Sequence, residues 1–219
     1  MTDPRTVNIL GANPGSRRRG FGSPGLTGVF RRIATHFDRQ GVFSVLDFGC
    51  GAGFLCRLIS DSFPLIRIEG CDRSPEMVET ARSNCAWGVF YVADADSAKL
   101  AYYDVIVARD SLGSMADVPA SVRKLGQHLY PGGRFIIVHR APGTVVREQA
   151  VRTLTESGYS VSFEEFDFEP PPEERNRLLA TLPHLRGPDR ELAYDRVLRP
   201  ESYWIISALK RTHPPNARR

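Results

Sequence analysis

The stretch Val45-Leu46-Asp47-Phe48-Gly49-Cys50-Gly51-Ala52-Gly53-Phe54 decides the fold. An apolar run carrying an acid ends in alternating glycines and passes into a helix-forming sequence. That is the pattern of a buried strand, a tight turn and a helix. Glycine lets a ligand approach the backbone where a Cβ would collide with it, and open α/β sheets bind ligands at the carboxyl ends of their strands. Such glycines can also serve packing alone. The spacing disfavours a dinucleotide, whose fingerprint wants a small residue where Phe54 stands. No Lys-Ser or Lys-Thr follows the turn, so it is not a triphosphate-binding loop.

The next segments repeat the theme. Leu65 to Cys71 reads as a second strand with Asp72 at its end. An acid about 20 residues beyond a glycine loop can accept hydrogen bonds from both ribose hydroxyls. Ser74 suits an N-cap, Pro75 the first helical position and Glu76 the positive helix end, which predicts a helix over Pro75 to Asn84. A third strand, Gly88 to Val92, leads to Ala93-Asp94-Ala95. Each acid alone reads equally well as a turn or cap residue. Their recurrence at successive strand ends points to one ligand site.

Asp47-x-Gly49-x-Gly51-x-Gly53 and Asp72-x-Ser74-x-x-Met77-x-x-x-Ala81 resemble the class I S-adenosylmethionine-dependent methyltransferases. So do Tyr103-Asp104-Val105-Ile106-Val107 and Leu129-Tyr130-Pro131-Gly132-Gly133-Arg134-Phe135-Ile136-Ile137-Val138, and the likeness runs over residues 26–211. It implies S-adenosylmethionine as cofactor, with Asp72 on the ribose and Asp94 and the Ala95 backbone at the adenine. Gly49, Gly51 and Gly53 would form the cradle, with Arg73, Met77 and Arg109 beside it. Asp47 would favour the cationic cofactor by Coulomb attraction.

Strands alternate with helices predicted at Ala52 to Ser60, Pro75 to Asn84, Pro119 to Leu129 and Thr144 to Ser157. Alternation of this kind predicts an α/β fold, a doubly wound, mostly parallel sheet with helices on both faces. The family resemblance makes it seven-stranded, with the sixth strand at about Val161 to Phe168 and an antiparallel last strand at about Ser202 to Leu209. Before the first strand, Leu26 to Phe37 has helical apolar spacing.

Composition fits one globular domain: 219 residues, 42% of them hydrophobic, and no apolar run of membrane-spanning length. The N-terminal residues lack the apolar core of a secretion signal, so residence in the cytoplasm is expected. Cys50, Cys56, Cys71 and Cys85 form no Cys-x-x-Cys pair and have no neighbouring His, which gives no zinc site; reduced, mostly buried thiols are expected. The net charge of +4 comes almost wholly from Arg, since Lys occurs only at 99, 124 and 210. Scattered Arg reads as codon bias rather than as a nucleic-acid surface, Arg17-Arg18-Arg19 excepted.

Residues 1–25 have the Gly, Pro, Asn and Arg content of a flexible arm, either a plain leader or one that folds over the cofactor. Residues 212–219 read as a disordered tail. A hairpin needs only a few residues, yet about 30 separate the sixth strand from the seventh. This 169–201 insertion is expected to form a substrate lid or a homodimer contact, or to be a surface loop.

Methyl transfer depends largely on holding a nucleophile in line with an activated methyl group. Where a base is needed, Asp110 after strand four and His139 after strand five are the candidates, both expected to point into the cleft. Asp110 could instead cap the next turn, and His139 could line the wall. Many small-molecule members of the family place a His or an aromatic pair after strand four. Here the run is Asp110-Ser111-Leu112-Gly113-Ser114-Met115, which leaves acceptor and base open. The absence of Asn/Asp-Pro-Pro-Tyr/Phe there argues against amino-methyltransferases of DNA bases or protein glutamine. The expected activity is methyl transfer to an oxygen or nitrogen of a small-molecule metabolite. The alternatives are an RNA or protein methyltransferase, or a silent cofactor-binding scaffold.

Overall fold

The sheet is built from short β-branched runs whose neighbouring side chains enter opposite layers, as strand periodicity requires. The computed structural model describes residues 24–37, 41–94, 97–169 and 201–212, with the single positions 172, 176 and 180. Most of the expected N-terminal arm, most of the 169–201 insertion, Ala95 and most of the tail lie outside the described residues, and the last two positions of the arm, Pro24 and Gly25, open the first helix instead.

The strands are β1 (Ser44–Phe48), β2 (Arg67–Asp72), β3 (Val89–Val92), β4 (Tyr103–Arg109), β5 (Leu129–Arg140), β6 (Ser160–Phe168) and β7 (Glu201–Leu209). They form one seven-stranded sheet in the order β3-β2-β1-β4-β5-β7-β6. β1 pairs in parallel with β2 and β4, and β2–β3 and β4–β5 are also parallel. β7 runs antiparallel to both β5 and β6. The predicted doubly wound sheet with a reversed last strand is the observed one.

Helices α1 (Pro24–Ile33), α2 (Phe54–Ser62) and α3 (Pro75–Asn84) cover one face, and α4 (Val118–Gln127) and α5 (Thr144–Glu156) the other. Val45, Val105, Val107, Ile136 and Val138 enter the first layer with Val29, Ile33, Leu55, Ile59 and Val78. Their neighbours Leu46, Ile106, Ile137 and Trp204 enter the second with Val122, Leu125, Ala150 and Leu154. Burial on both faces is why the central strands read as continuous apolar runs. α1 lies close on β6, where a Cβ at Gly28 would stand 2.1 Å from the Phe168 ring.

Of the boundaries that differ from expectation, two have clear local reasons. α2 begins at Phe54 rather than Ala52 because Gly53, its N-cap, has a φ of +74°, which a helix cannot contain. Leu65 is 90% exposed and precedes β2, because ladder pairing begins only where the Arg67 amide meets the Phe43 carbonyl. Asp104 fixes the opposite edge of the sheet. Its Oδ2 accepts from the Phe43 and Ser44 amides and the Ser44 hydroxyl at 2.8–3.0 Å, tying the start of β1 to β4.

Candidate active site

The three glycines after β1 do different work. Gly49, at φ +74°, donates its amide to the Cys71 carbonyl, and a Cβ on it would stand 2.3 Å from Ser111 Cβ. A Cβ on Gly53 would meet the Ala81 backbone of α3 at 2.9 Å, so this glycine serves helix packing. Gly51, at φ +52°, faces nothing within 4 Å; it is the position that leaves room for a ligand. Gly53→Ala should therefore lower stability by ~2–4 kcal/mol, from left-handed strain plus a backbone clash. Gly51→Ala should cost about 1 kcal/mol in stability yet weaken ligand binding roughly tenfold by filling the open face. Thermal melts and calorimetric titration of the two variants separate these effects.

The acids at the next strand ends are held by backbone amides. Asp72 Oδ2 accepts from the Gly51 amide and Oδ1 from the Ser74 amide, each at 2.9 Å. Each carboxylate oxygen carries two lone pairs, so one on either oxygen is left for a further donor. Ser74 caps α3 by accepting from the Met77 amide, with Pro75 in the first turn, as its sequence predicts. Met77 is 43% exposed on that turn. Asp94 closes a reciprocal turn with Ser97, whose amide and hydroxyl both donate to Asp94 Oδ1 at 2.7 Å.

At the end of β4, Asp110 is the only non-glycine residue described with positive φ, +52°. Asp tolerates that region better than most side chains, and here its neighbours hold it. The Asp110 amide donates to the Val138 carbonyl, and the Arg140 amide donates to Asp110 Oδ1 at 2.8 Å. Oδ2 lies 3.5 Å from Arg109 Nη1. The carboxylate thus joins β4 to β5 rather than capping the following turn. His139 is placed differently from expectation. Its ring stacks on Trp204 with centroids 5.2 Å apart, Nδ1 meets the Arg140 carbonyl at 2.6 Å, and Gly113 and Gly143 give it room.

Asp47 lies beneath the glycine turn, 2% exposed, with the Cys56 thiol donating to its Oδ2 at 3.3 Å. Burial raises its pKa from 3.8 to about 6, although the Arg109 guanidinium and the Cys56 thiol pull the other way. All four cysteines are buried and unpaired, and burial pushes their thiols up. Such thiols are inert. Among the described residues no cluster of His, Cys, Asp or Glu could hold a metal ion.

These elements enclose a cleft of about 330 Å³ at the carboxyl edge of the sheet. Of the residues expected from sequence, Gly49, Asp72, Arg73, Asp94, Arg109 and Asp110 line it together. Gly51 adjoins it through its bond to Asp72, Asp47 acts from below, and His139 is not part of the lining. Phe48, Ala93, Ser111, Ser114 and Met115 also line it without having been singled out as site residues. Their only sequence signal is position: each flanks an expected residue or follows β4.

A family model described as a methyltransferase domain matches residues 18–180, more than half of the chain. Malonyl-[acyl-carrier protein] O-methyltransferase of Acetivibrio thermocellus is 33% identical over 99 residues, 44% of this chain and 35% of that protein. Ribosomal RNA small subunit methyltransferase C of Escherichia coli O9:H4 is 31% identical over 134 residues, 53% of this chain and 39% of that protein. The chain thus spans well under half the length of these curated relatives. Among solved structures, phosphoethanolamine N-methyltransferase 2 of Haemonchus contortus, in complex with phosphomonomethylethanolamine and S-adenosylhomocysteine, has a TM-score of 0.67. It is 18% identical, over 87% of this chain and 55% of that one. YcgJ of Bacillus subtilis gives a TM-score of 0.60 at 18% identity, over 84% of this chain and 98% of that one. Fold and family together define the class: the chain belongs to the class I S-adenosylmethionine-dependent methyltransferases, and S-adenosylmethionine is its cofactor. The residues present fit that group. Asp72 keeps lone pairs for two hydroxyls, Gly51 leaves its face open, and a buried carboxylate underlies the turn.

Proposed function

We propose that the chain methylates an oxygen or nitrogen of a small-molecule metabolite. The observation that carries this reading is the cleft of about 330 Å³, in which the Asp72–Asp94 side adjoins the Arg109–Asp110 side. A space of that size suits a small ligand. In this reading Asp72 binds the ribose, Asp94 and the Ala95 backbone the adenine, and Gly49, Gly51 and Gly53 form the cradle. Arg73, Met77 and Arg109 flank it, and Asp47 contributes negative potential. The cofactor supplies a methyl group already activated as a sulfonium. The protein orients the acceptor and excludes water. Asp110, on the cleft wall, is the candidate to hold the acceptor's proton directly, with His139, whose Nδ1 lies 4.0 Å from Asp110 Oδ1, as the second group behind it. The four buried thiols fit a reducing, cytoplasmic setting. Among the described residues no helix is long and apolar enough to cross a membrane.

Relatives named for oxygen and nitrogen acceptors support this reading, one being a phosphoethanolamine N-methyltransferase of Triticum aestivum, 30% identical over 150 residues. An RNA acceptor is the second reading, favoured by the ribosomal RNA relative and the net charge of +4. Incubation with methyl-labelled cofactor, small hydroxyl and amino acceptors, and ribosomal RNA separates the two. Label in the small-molecule fraction is expected. Label confined to RNA, with binding that weakens steeply with salt, would overturn the first reading. Cofactor binding without any transfer would mark a silent scaffold.

A further inference from the structure

Two guanidinium groups stand near the Asp110 carboxylate on the cleft wall. Arg109 Nη1 lies 3.5 Å from Oδ2, and the Asp110 charge also acts on Arg140, whose amide holds Oδ1. A base must keep a lone pair for the proton it accepts. A guanidinium offers five donors in a planar fork that engages both oxygens of a carboxylate at once. Left free, the Arg140 side chain would pair with Asp110 and occupy those lone pairs. The fold holds it elsewhere. Glu201, the first residue of β7, brings Oε1 to 3.1 Å from Arg140 Nη2, and that oxygen has no other partner among the described residues. Tyr203 Oη donates to Glu201 Oε2 at 2.6 Å, and the guanidinium rests 5.9 Å from the Tyr203 ring centroid.

An ordinary surface ion pair contributes little. This one has a fixed end and a movable end. The Glu201 side chain is only 12% exposed and bonded to Tyr203, which is buried and stacked on Phe166 with centroids 5.6 Å apart. The Arg140 side chain is 45% exposed. The pair is not needed to place the Arg140 backbone. That is done by its pairing with Tyr203 in the ladder and by the Ala141 amide, which donates to the Ser202 carbonyl at 2.8 Å. What the Glu201 carboxylate decides is where the guanidinium points.

Resting on the reading above, in which Asp110 takes the acceptor's proton, we propose that Glu201 is a positioning residue: it draws the Arg140 guanidinium over Tyr203 and so leaves the Asp110 carboxylate open to the acceptor. The test uses Glu201→Gln in the full chain, a change that keeps the side chain's size and an acceptor for the Tyr203 hydroxyl. A crystal structure of this variant should show the guanidinium about 3 Å from an Asp110 oxygen. A guanidinium still over the Tyr203 ring would overturn the assignment. Turnover is read with the small hydroxyl or amino acceptor that the wild type labels. Glu201→Gln should lower kcat about ten- to a hundredfold, within the ~10²–10⁴ that a positioned base contributes. KM for that acceptor and calorimetric affinity for S-adenosylhomocysteine should stay within about threefold of the wild type, because neither binding surface changes. Adding Arg140→Met removes the freed cation but keeps the apolar stem and the backbone amide, and should restore kcat to within about threefold of the wild type. A double variant as slow as Glu201→Gln would show that Glu201 serves the fold alone. If Asp110→Asn left kcat unchanged, or the wild type labelled no small acceptor, the reading on which this rests would fall, and the assignment with it.

Discussion

Asp72→Ala should reduce affinity for both S-adenosylmethionine and S-adenosylhomocysteine by at least about a hundredfold, read by calorimetry. Two ribose hydroxyls donating to one carboxylate contribute ~1.5–3 kcal/mol each. The carboxylate also holds the Gly51 and Ser74 amides, so its loss would loosen the open glycine and the start of α3 together. Asp72→Asn separates these roles. The amide keeps one acceptor oxygen but replaces the other with a donor, so it should retain part of the turn while losing much of the ribose contact. Unchanged affinity in the Ala variant would contradict the ribose assignment.

Asp47→Asn should make the ligand-free protein more stable at neutral pH. The buried carboxyl has its pKa raised from 3.8 to about 6. The fold therefore favours the protonated form; its stabilising contribution is full below about pH 4 and is lost as pH rises through about 6. The shift corresponds to ~2–3 kcal/mol at pH 7. An uncharged Asn avoids that penalty, so variant and wild type should melt alike near pH 4 and diverge above pH 6. The expected accompaniment is a loss of preference for the cationic cofactor over its neutral product. At an effective dielectric near 20 the missing charge is worth ~1–2 kcal/mol, roughly a tenfold change in their affinity ratio. A variant that melts lower at pH 7, or keeps the ratio, would show that Asp47 serves the fold instead.

The sequence displayed whatever depends on neighbours in the chain. The glycine turn, the Ser74 cap with Pro75 behind it, and the apolar runs of β1, β4 and β5 are local patterns, and each formed where its pattern lies. The reversal of β7 was accessible only through family resemblance, because an apolar strand carries no mark of its direction. What escaped reading depends on contacts across the sheet. Nothing near Asp110 reveals that an amide thirty positions later occupies its Oδ1. Nothing near His139 reveals that Trp204, on the neighbouring reversed strand, draws the ring away from the cleft lining.

The reversed strand has an evolutionary corollary. β6 ends at Phe168 directly opposite Glu201, where β7 starts, and Tyr203 of β7 pairs with Arg140 at the end of β5. The stretch joining β6 to β7 is therefore rooted at the same edge as the cleft, while the acids and glycines of β1 to β3 belong to other strands. Selection can rewrite that stretch, in length or chemistry, and leave the adenosyl-binding half untouched.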